Sequence, residues 1–133
     1  MSVSSETTQI IRMKAAAEWP DDFEMQRHVI EEQTEAAERM VHYQQNMDTT
    51  NEIVYVCLRK ALSEWPEDYS MQVHVFEGQI EAATTFFAYV NPTVNQEILE
   101  GIKTKAFSEW PGDYEMMLHV LTEQVAAWGE LYG

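Results

Sequence analysis

A motif built on Glu-Trp-Pro occurs three times in the chain, with its tryptophan at Trp19, Trp65 and Trp110. Each copy continues with any residue, Asp, an aromatic residue, any residue, Met, any two residues and His-Val. The spacings are 46 and 45 residues, and a fixed period of this length is typical of tandem structural repeats. The sequence therefore predicts one domain, 1–133, made of three repeats at about 1–45, 46–90 and 91–133.

Eleven positions of each repeat are identical when the copies are aligned on the tryptophans. None of these residues forms a recognisable catalytic or cofactor signature. The repeat therefore indicates how the chain folds and does not indicate what it does. The identical sets begin with Lys14, Ala15, Glu18, Trp19, Pro20, Asp22, Met25, His28, Val29, Gln33 and Ala36.

The pattern of apolar residues predicts an all-α fold. No stretch shows sustained strict alternation, and glycine and proline are scarce away from the repeat boundaries, which favours helices throughout. With 45% apolar residues the chain can bury a core. We expect three tandem helical hairpins, about six helices, in a compact helical-repeat bundle or a short solenoid. The predicted helices are Glu6–Ala17, Phe23–Gln44, Asn51–Ser63, Tyr69–Ala88, Val94–Ser108 and Tyr114–Leu131.

The repeated motif is interpreted as the corner of each hairpin. A proline disfavours helical geometry in the preceding residue, so the first helix should end at the tryptophan. The aspartate two residues after the proline is a typical helix N-cap. We expect the indole to fill the space between the two helices and to donate its N–H to a nearby carbonyl. The structural set is Trp19, Pro20, Asp22, Trp65, Pro66, Asp68, Trp110, Pro111 and Asp113.

Two further sets of residues are expected to form hydrogen bonds, one at helix starts and one between helices. Thr49 with Glu52, and Thr93 with Gln96, fit capping boxes at the starts of first helices. The repeated glutamines at Gln33, Gln79 and Gln124 lie within an apolar stripe, so we expect hydrogen bonds between helices that set the register of the repeats.

Three equivalent histidines, His28, His74 and His119, are the main candidate metal ligands, because the Glu and His spacing of a carboxylate di-metal site is absent. A three-histidine metal centre would require a closed ring of repeats, because equivalent side chains on stacked helices point in parallel. We instead expect half-buried histidines bonded to carboxylates three or four residues further along the helix. No metal and no cofactor is predicted.

No feature of the sequence supports an enzyme. Glycine-rich phosphate loops, nucleophile elbows and paired cysteines are all absent from the sequence. Cys57 is the only cysteine and replaces the isoleucines of the other repeats, which indicates a small buried apolar residue rather than a reactive thiol. We predict a protein without enzymatic activity.

The net charge of −15 is spread evenly, because each third of the chain contributes −5. Clustered lysine and arginine are lacking, which disfavours direct binding of nucleic acids and of anionic membranes. The same charge favours a basic protein partner. The N-terminal residues do not resemble a signal peptide, and the sequence has no long apolar span, so the expected location is the cytoplasm.

The repeats differ on one helix face, and the differences indicate an interface. Arg27 of the first repeat is replaced by Val73 and Leu118, and Thr34 by Ile80 and Val125. Only the first repeat therefore has the polar outer side that a stack of three needs at both ends. Either the third repeat folds back into a bundle, or it meets another chain, for which a homodimer is our expectation. The candidate interface residues are Val73, Ile80, Leu118, Val125, Trp128, Leu131 and Tyr132.

The favoured function is a protein–protein interaction module whose partner is a basic protein or a second copy of the chain. Two alternatives stay open. One is a carrier or sensor of a cationic apolar small molecule, bound between hairpins by Trp, Met, Tyr and Phe side chains. The other is an acidic mimic of nucleic acid that blocks a DNA- or RNA-binding protein.

Overall fold

The protein is all-α. The structure, a computed structural model, describes residues 3–133, and six helices with no strand occur in that part of the chain. The predicted fold class and number of helices are confirmed. The helices are α1 (Ser5–Glu18), α2 (Phe23–Asn46), α3 (Glu52–Glu64), α4 (Tyr69–Ala88), α5 (Gln96–Glu109) and α6 (Tyr114–Tyr132).

Helix starts differ from the sequence expectation in two places. The capping boxes predicted at Thr49 and Thr93 are wrong, because the N-caps of α3 and α5 are Asn51 and Asn95. Asn95 Oδ1 accepts a hydrogen bond from the backbone N–H of Glu97 at 2.8 Å. An asparagine directly before the helix reaches the unpaired N–H groups of the first turn, so the threonines further upstream are not needed as caps.

The structure divides into two compact units, Met1–Phe76 and Glu77–Gly133, with the boundary inside α4. In the first unit, α1 packs on α2, and α3 and the first part of α4 follow. In the second unit, the rest of α4 is followed by α5, which packs on α6. The single domain over 1–133 and the packing of three hairpins stay predictions.

A repeated alanine of the first helix is buried in every repeat. Ala15, Ala61 and Ala106 each have 0% of their surface exposed, so a larger side chain at these positions would overpack the core. The buried apolar residues of the first unit are Ile11, Ala15, Ala37, Met40, Cys57, Ala61, Val73 and Phe76. Those of the second are Ala82, Ala83, Phe86, Val94, Leu99, Ala106, Tyr114, Met117, Leu121 and Val125.

Candidate protein-binding surface

The Glu-Trp-Pro motif forms the corner between the two helices of each repeat. Each tryptophan is the C-cap of a first helix, and its backbone N–H donates to the carbonyl of the repeated alanine at 2.9–3.2 Å. The aspartate then begins the second helix: Asp22 Oδ1 accepts from Met25 N at 3.1 Å, and Asp68 and Asp113 accept from the equivalent methionines. The corner thus satisfies backbone groups that helix ends leave unpaired.

The three indoles are more exposed than the sequence interpretation requires. Trp19, Trp65 and Trp110 are 40%, 38% and 40% exposed. None of their indole N–H groups donates a hydrogen bond to another residue within 3–133, so the predicted bond to a carbonyl is wrong. Because an indole at the rim of a corner can bond to water, its N–H needs no protein acceptor.

A second glutamine, which the sequence interpretation missed, closes two of the corners. Gln26 Nε2 donates to the carbonyl of Trp19 at 2.7 Å, and Gln72 Nε2 donates to that of Trp65 at the same distance. The third repeat has Met117 at this position. The recurrence of glutamine in two of the three repeats is the signal in the sequence, and the position is not among the eleven that are identical in every repeat.

The repeated Gln33 joins the first repeat to the corner of the second. Its Nε2 donates to Asp68 Oδ1 at 3.0 Å, and its Oε1 accepts from the backbone N–H of Tyr69 at 2.7 Å. One amide therefore binds both the N-cap side chain and the first backbone N–H of α4. We call this arrangement, a glutamine on a second helix bound to the N-terminus of the next second helix, the inter-repeat contact.

The same inter-repeat contact recurs within the second unit. Gln79 Nε2 donates to Asp113 Oδ1 at 3.1 Å, and Gln79 Oε1 accepts from Tyr114 N at 2.7 Å. Gln79 is only 3% exposed, and Tyr114 is 4% exposed. The hydrogen bonds between helices that the sequence predicted are thus present at Gln33 and Gln79. That they set the register of the repeats stays a prediction.

The third repeated glutamine makes no such contact. Gln124 lies on α6, is exposed, and has no side-chain hydrogen bond to any residue of 3–133. The aspartate and aromatic residue of the first repeat, Asp22 and Phe23, are likewise exposed, and no glutamine of the described part of the chain binds them. Within residues 3–133, one repeated glutamine and one second-helix N-terminus therefore lack the inter-repeat contact.

The interface residues proposed from the sequence fall into two groups. Val73 and Val125 are buried at 8% and 9% exposure, and Ile80 and Leu118 are half-buried, so these four are already largely covered within the chain. Leu131 and Tyr132 are 72% and 73% exposed, and Trp128 is half-buried with its ring 6.0 Å from that of Tyr132. Of the seven candidates, Leu131 and Tyr132 are the exposed ones, and the half-buried Trp128 lies next to them.

The aspartate caps give a first testable difference. Asp22→Ala removes one capping hydrogen bond, and we expect it to lower the free energy of unfolding by about 1 kcal/mol. Asp113→Ala also removes the acceptor of the buried Gln79 amide, so we expect a loss of about 2 kcal/mol. Urea unfolding followed by circular dichroism measures both. Equal losses would show that the bond between Gln79 and Asp113 contributes no stability.

An aromatic groove is exposed on the second unit. Phe87 on α4 and Phe107 on α5 are 48% and 49% exposed, with ring centroids 6.3 Å apart. They line a groove of about 350 Å³ together with the buried Phe86 and the hydrophilic side chains of Glu100, Lys103 and Thr104. Lys103 Nζ donates to the carbonyl of Tyr89 at 2.7 Å, which holds this lysine against the protein.

The three histidines are exposed, so the predicted half-buried position is wrong. His28 Nε2 lies 3.5 Å from Glu32 Oε2, with 66% of the histidine side chain exposed, and no such pair is present at His74 or His119 in the described residues. No group of three histidine, cysteine or acidic side chains that could hold a metal ion occurs in 3–133. Neighbouring helices therefore cover the flank that carries the histidines less than its position beside the apolar stripe predicts.

Cys57 is fully buried in the first unit, and burial raises the pKa of its thiol to about 11 from 9.0. At pH 8 the thiolate population should therefore be about a hundredfold lower than that of the same thiol at its ordinary pKa. We expect a thiol-specific reagent to label the native protein at least a hundredfold more slowly than the urea-unfolded protein. Equal labelling rates would contradict the buried position.

Comparison with known proteins gives no further assignment. No protein-family model matches the chain, and neither a search of curated proteins nor a search of solved structures returns a significantly similar chain. Among residues 3–133, no helix is long and apolar enough to cross a membrane.

Proposed function

We propose that this protein is a non-enzymatic, cytoplasmic interaction module that binds a basic protein through the aromatic groove of Phe87 and Phe107. The observation that supports the proposal is the pair of half-exposed phenylalanines on a chain of net charge −15. Aromatic side chains are enriched at the centres of protein interfaces, where full burial of each contributes about 1.5–3 kcal/mol.

The charges favour a basic partner around this apolar centre. The second unit, Glu77–Gly133, carries nine acidic and two basic residues. Of the groove residues, Lys103 already donates to a backbone carbonyl, while Glu100 is exposed at the rim. A partner that inserts an apolar side chain and surrounds it with lysine or arginine would match both features, and its association would be fast and sensitive to salt.

The matched test uses two variants of the full chain. Phe87→Ser with Phe107→Ser removes the groove, and Tyr55→Ser is the control, because Tyr55 is a 51% exposed aromatic residue in the first unit. We expect at least one basic protein to be recovered from cell lysate by the wild type and by the control, and to be lost with the groove variant or at about 500 mM salt. Identical recovery by wild type and groove variant would contradict the proposal.

A carrier of a cationic apolar small molecule is the second candidate, and the same groove favours it. Its volume of about 350 Å³ lies within the range of small-molecule sites, and it places two phenylalanine rings near Glu100. In a thermal-shift screen, cationic aromatic compounds should then raise the melting temperature of the wild type and leave the groove variant unchanged. A module that binds only proteins would show no rise in either variant.

A further inference from the structure

We propose that copies of this chain associate head to tail, with Gln124 of one copy binding the carboxylate of Asp22 and the backbone N–H of Phe23 in another. This inference goes beyond the proposed function, because its partner is a second copy and its surface does not include the aromatic groove. The same kind of contact is made twice within the chain itself, by Gln33 and by Gln79.

The apolar residues that follow the glutamine support the same contact. In the second repeat, Ala83 and Phe86 follow Gln79 by four and seven residues, and each is 1% exposed. The residues at the same repeat positions on α6 are Trp128 and Leu131, which are half-buried and 72% exposed. In the second repeat, this face of the second helix is covered by the repeat that follows. In the third repeat, the same face is largely exposed.

The N-terminus of α2, which Gln124 of another copy would bind, is exposed as well. Phe23 is 72% exposed, whereas Tyr114, its equivalent in the third repeat, is 4% exposed. The rings of Tyr114 and Phe87 lie 6.0 Å apart, and the equivalent of Phe87 in the third repeat is Tyr132. In a head-to-tail contact, Phe23 of one copy would thus pack against the exposed Tyr132 of the other.

The charges at the two halves are complementary. In the first unit, Val73 of α4 lies beside Arg39 of α2, where both line a shallow cavity. At the equivalent positions, the exposed halves have Arg27 in place of Val73 and Glu130 in place of Arg39. A basic residue therefore lies near the start of α2, and an acidic residue lies near the end of α6. The contact between copies would place Arg27 beside Glu130.

One pair of charges makes the contact between copies weaker than the internal ones. Ser70 Oγ donates to Glu32 Oε1 at 3.3 Å in the first unit. The equivalent residues between copies are Glu24 and Glu123, two carboxylates that repel each other. Because each chain also carries −15, association should be concentration-dependent rather than permanent.

A head-to-tail contact joins two different surfaces, so copies can add one after another, whereas a two-fold dimer joins one surface to itself. The experiment uses this difference. Phe23→Ser disables the head, Leu131→Ser disables the tail, and Val90→Ser, at an 81% exposed residue, is the control. All three positions are exposed, so the variants should fold, which circular dichroism checks.

Sedimentation from about 1 μM to about 1 mM at about 150 mM salt measures the mass. We expect the wild type and the control to rise above the 15.4 kDa of one chain, and each disabled variant to associate at least about tenfold more weakly. An equimolar mixture of the two disabled variants should recover a two-chain complex, because one retains its tail and the other its head. Glu24→Ser should strengthen association of the otherwise unaltered chain.

Three results would overturn the proposal. One is a wild type that has the mass of a single chain at about 1 mM. Another is full self-association of the Phe23→Ser variant, which would indicate a tail-to-tail dimer of α6. The last is a mixture of disabled variants that recovers no complex. None of these outcomes depends on the aromatic groove, so the proposed function and this inference can fail separately.

Discussion

Phe86→Ala is expected to lower the free energy of unfolding by about 3–5 kcal/mol, a large part of the stability of a small domain. Phe86 is 1% exposed, and its ring stands 5.2 Å from that of Phe87 in an edge-to-face arrangement. Its removal loses both the transfer free energy of the ring and the packing around it. Thermal unfolding followed by circular dichroism should show the loss as a lower melting temperature.

The matched control is Leu131→Ala, at the same position of the third repeat. Leu131 is 72% exposed, so at concentrations where the protein is monomeric we expect a change within about 0.5 kcal/mol. A similar loss in both variants would show that Leu131 is buried in the monomer, which would contradict the uncovered side of α6. A small loss for Phe86→Ala would contradict its buried position.

Gln79→Ala is expected to cost about 2–4 kcal/mol. The substitution leaves the buried backbone N–H of Tyr114 without its acceptor and removes a donor to Asp113, and it also opens space in the core. Urea unfolding followed by circular dichroism, at one temperature for wild type and variant, measures the loss.

The comparison for Gln79→Ala is Gln124→Ala, which changes the same repeat position at an exposed residue. Because the side chain of Gln124 has no hydrogen bond to another residue of 3–133, the dilute protein should lose no more than about 0.5 kcal/mol. Large and equal losses would indicate that the glutamines stabilise their own helices rather than the inter-repeat contact.

The helix boundaries at the three Glu-Trp-Pro corners could be predicted because local chemistry decides them. Proline after each tryptophan ends the first helix, and the aspartate two residues later begins the second, whatever the helices pack against. The positions of Gln33 and Gln79 within an apolar stripe also required a polar partner, since a buried amide without hydrogen bonds is costly. Their particular partners, a carboxylate and a backbone N–H of the next repeat, depend on tertiary contacts that periodicity does not contain.

The errors in predicted burial share a physical cause, which is that the exposure of a side chain depends on neighbouring helices. His28 and its equivalents lie at the flank of the stripe, and no neighbouring helix covers them well enough to bury them. Among the candidate interface residues, Val73 and Leu131 are both apolar, so the sequence alone does not show which of them is exposed. Only the structure separates the buried valine from the exposed leucine, because only one of them has a following or preceding repeat against it.

Within residues 3–133, the inter-repeat contact is made twice and is left open once. The direct measurement is amide hydrogen exchange of the three equivalent residues Phe23, Tyr69 and Tyr114 by NMR in dilute solution. First-turn amides of a helix have no partner within the helix, so protection there reports the glutamine. We predict slow exchange at Tyr69 and Tyr114 and fast exchange at Phe23; equal exchange at all three would contradict the account.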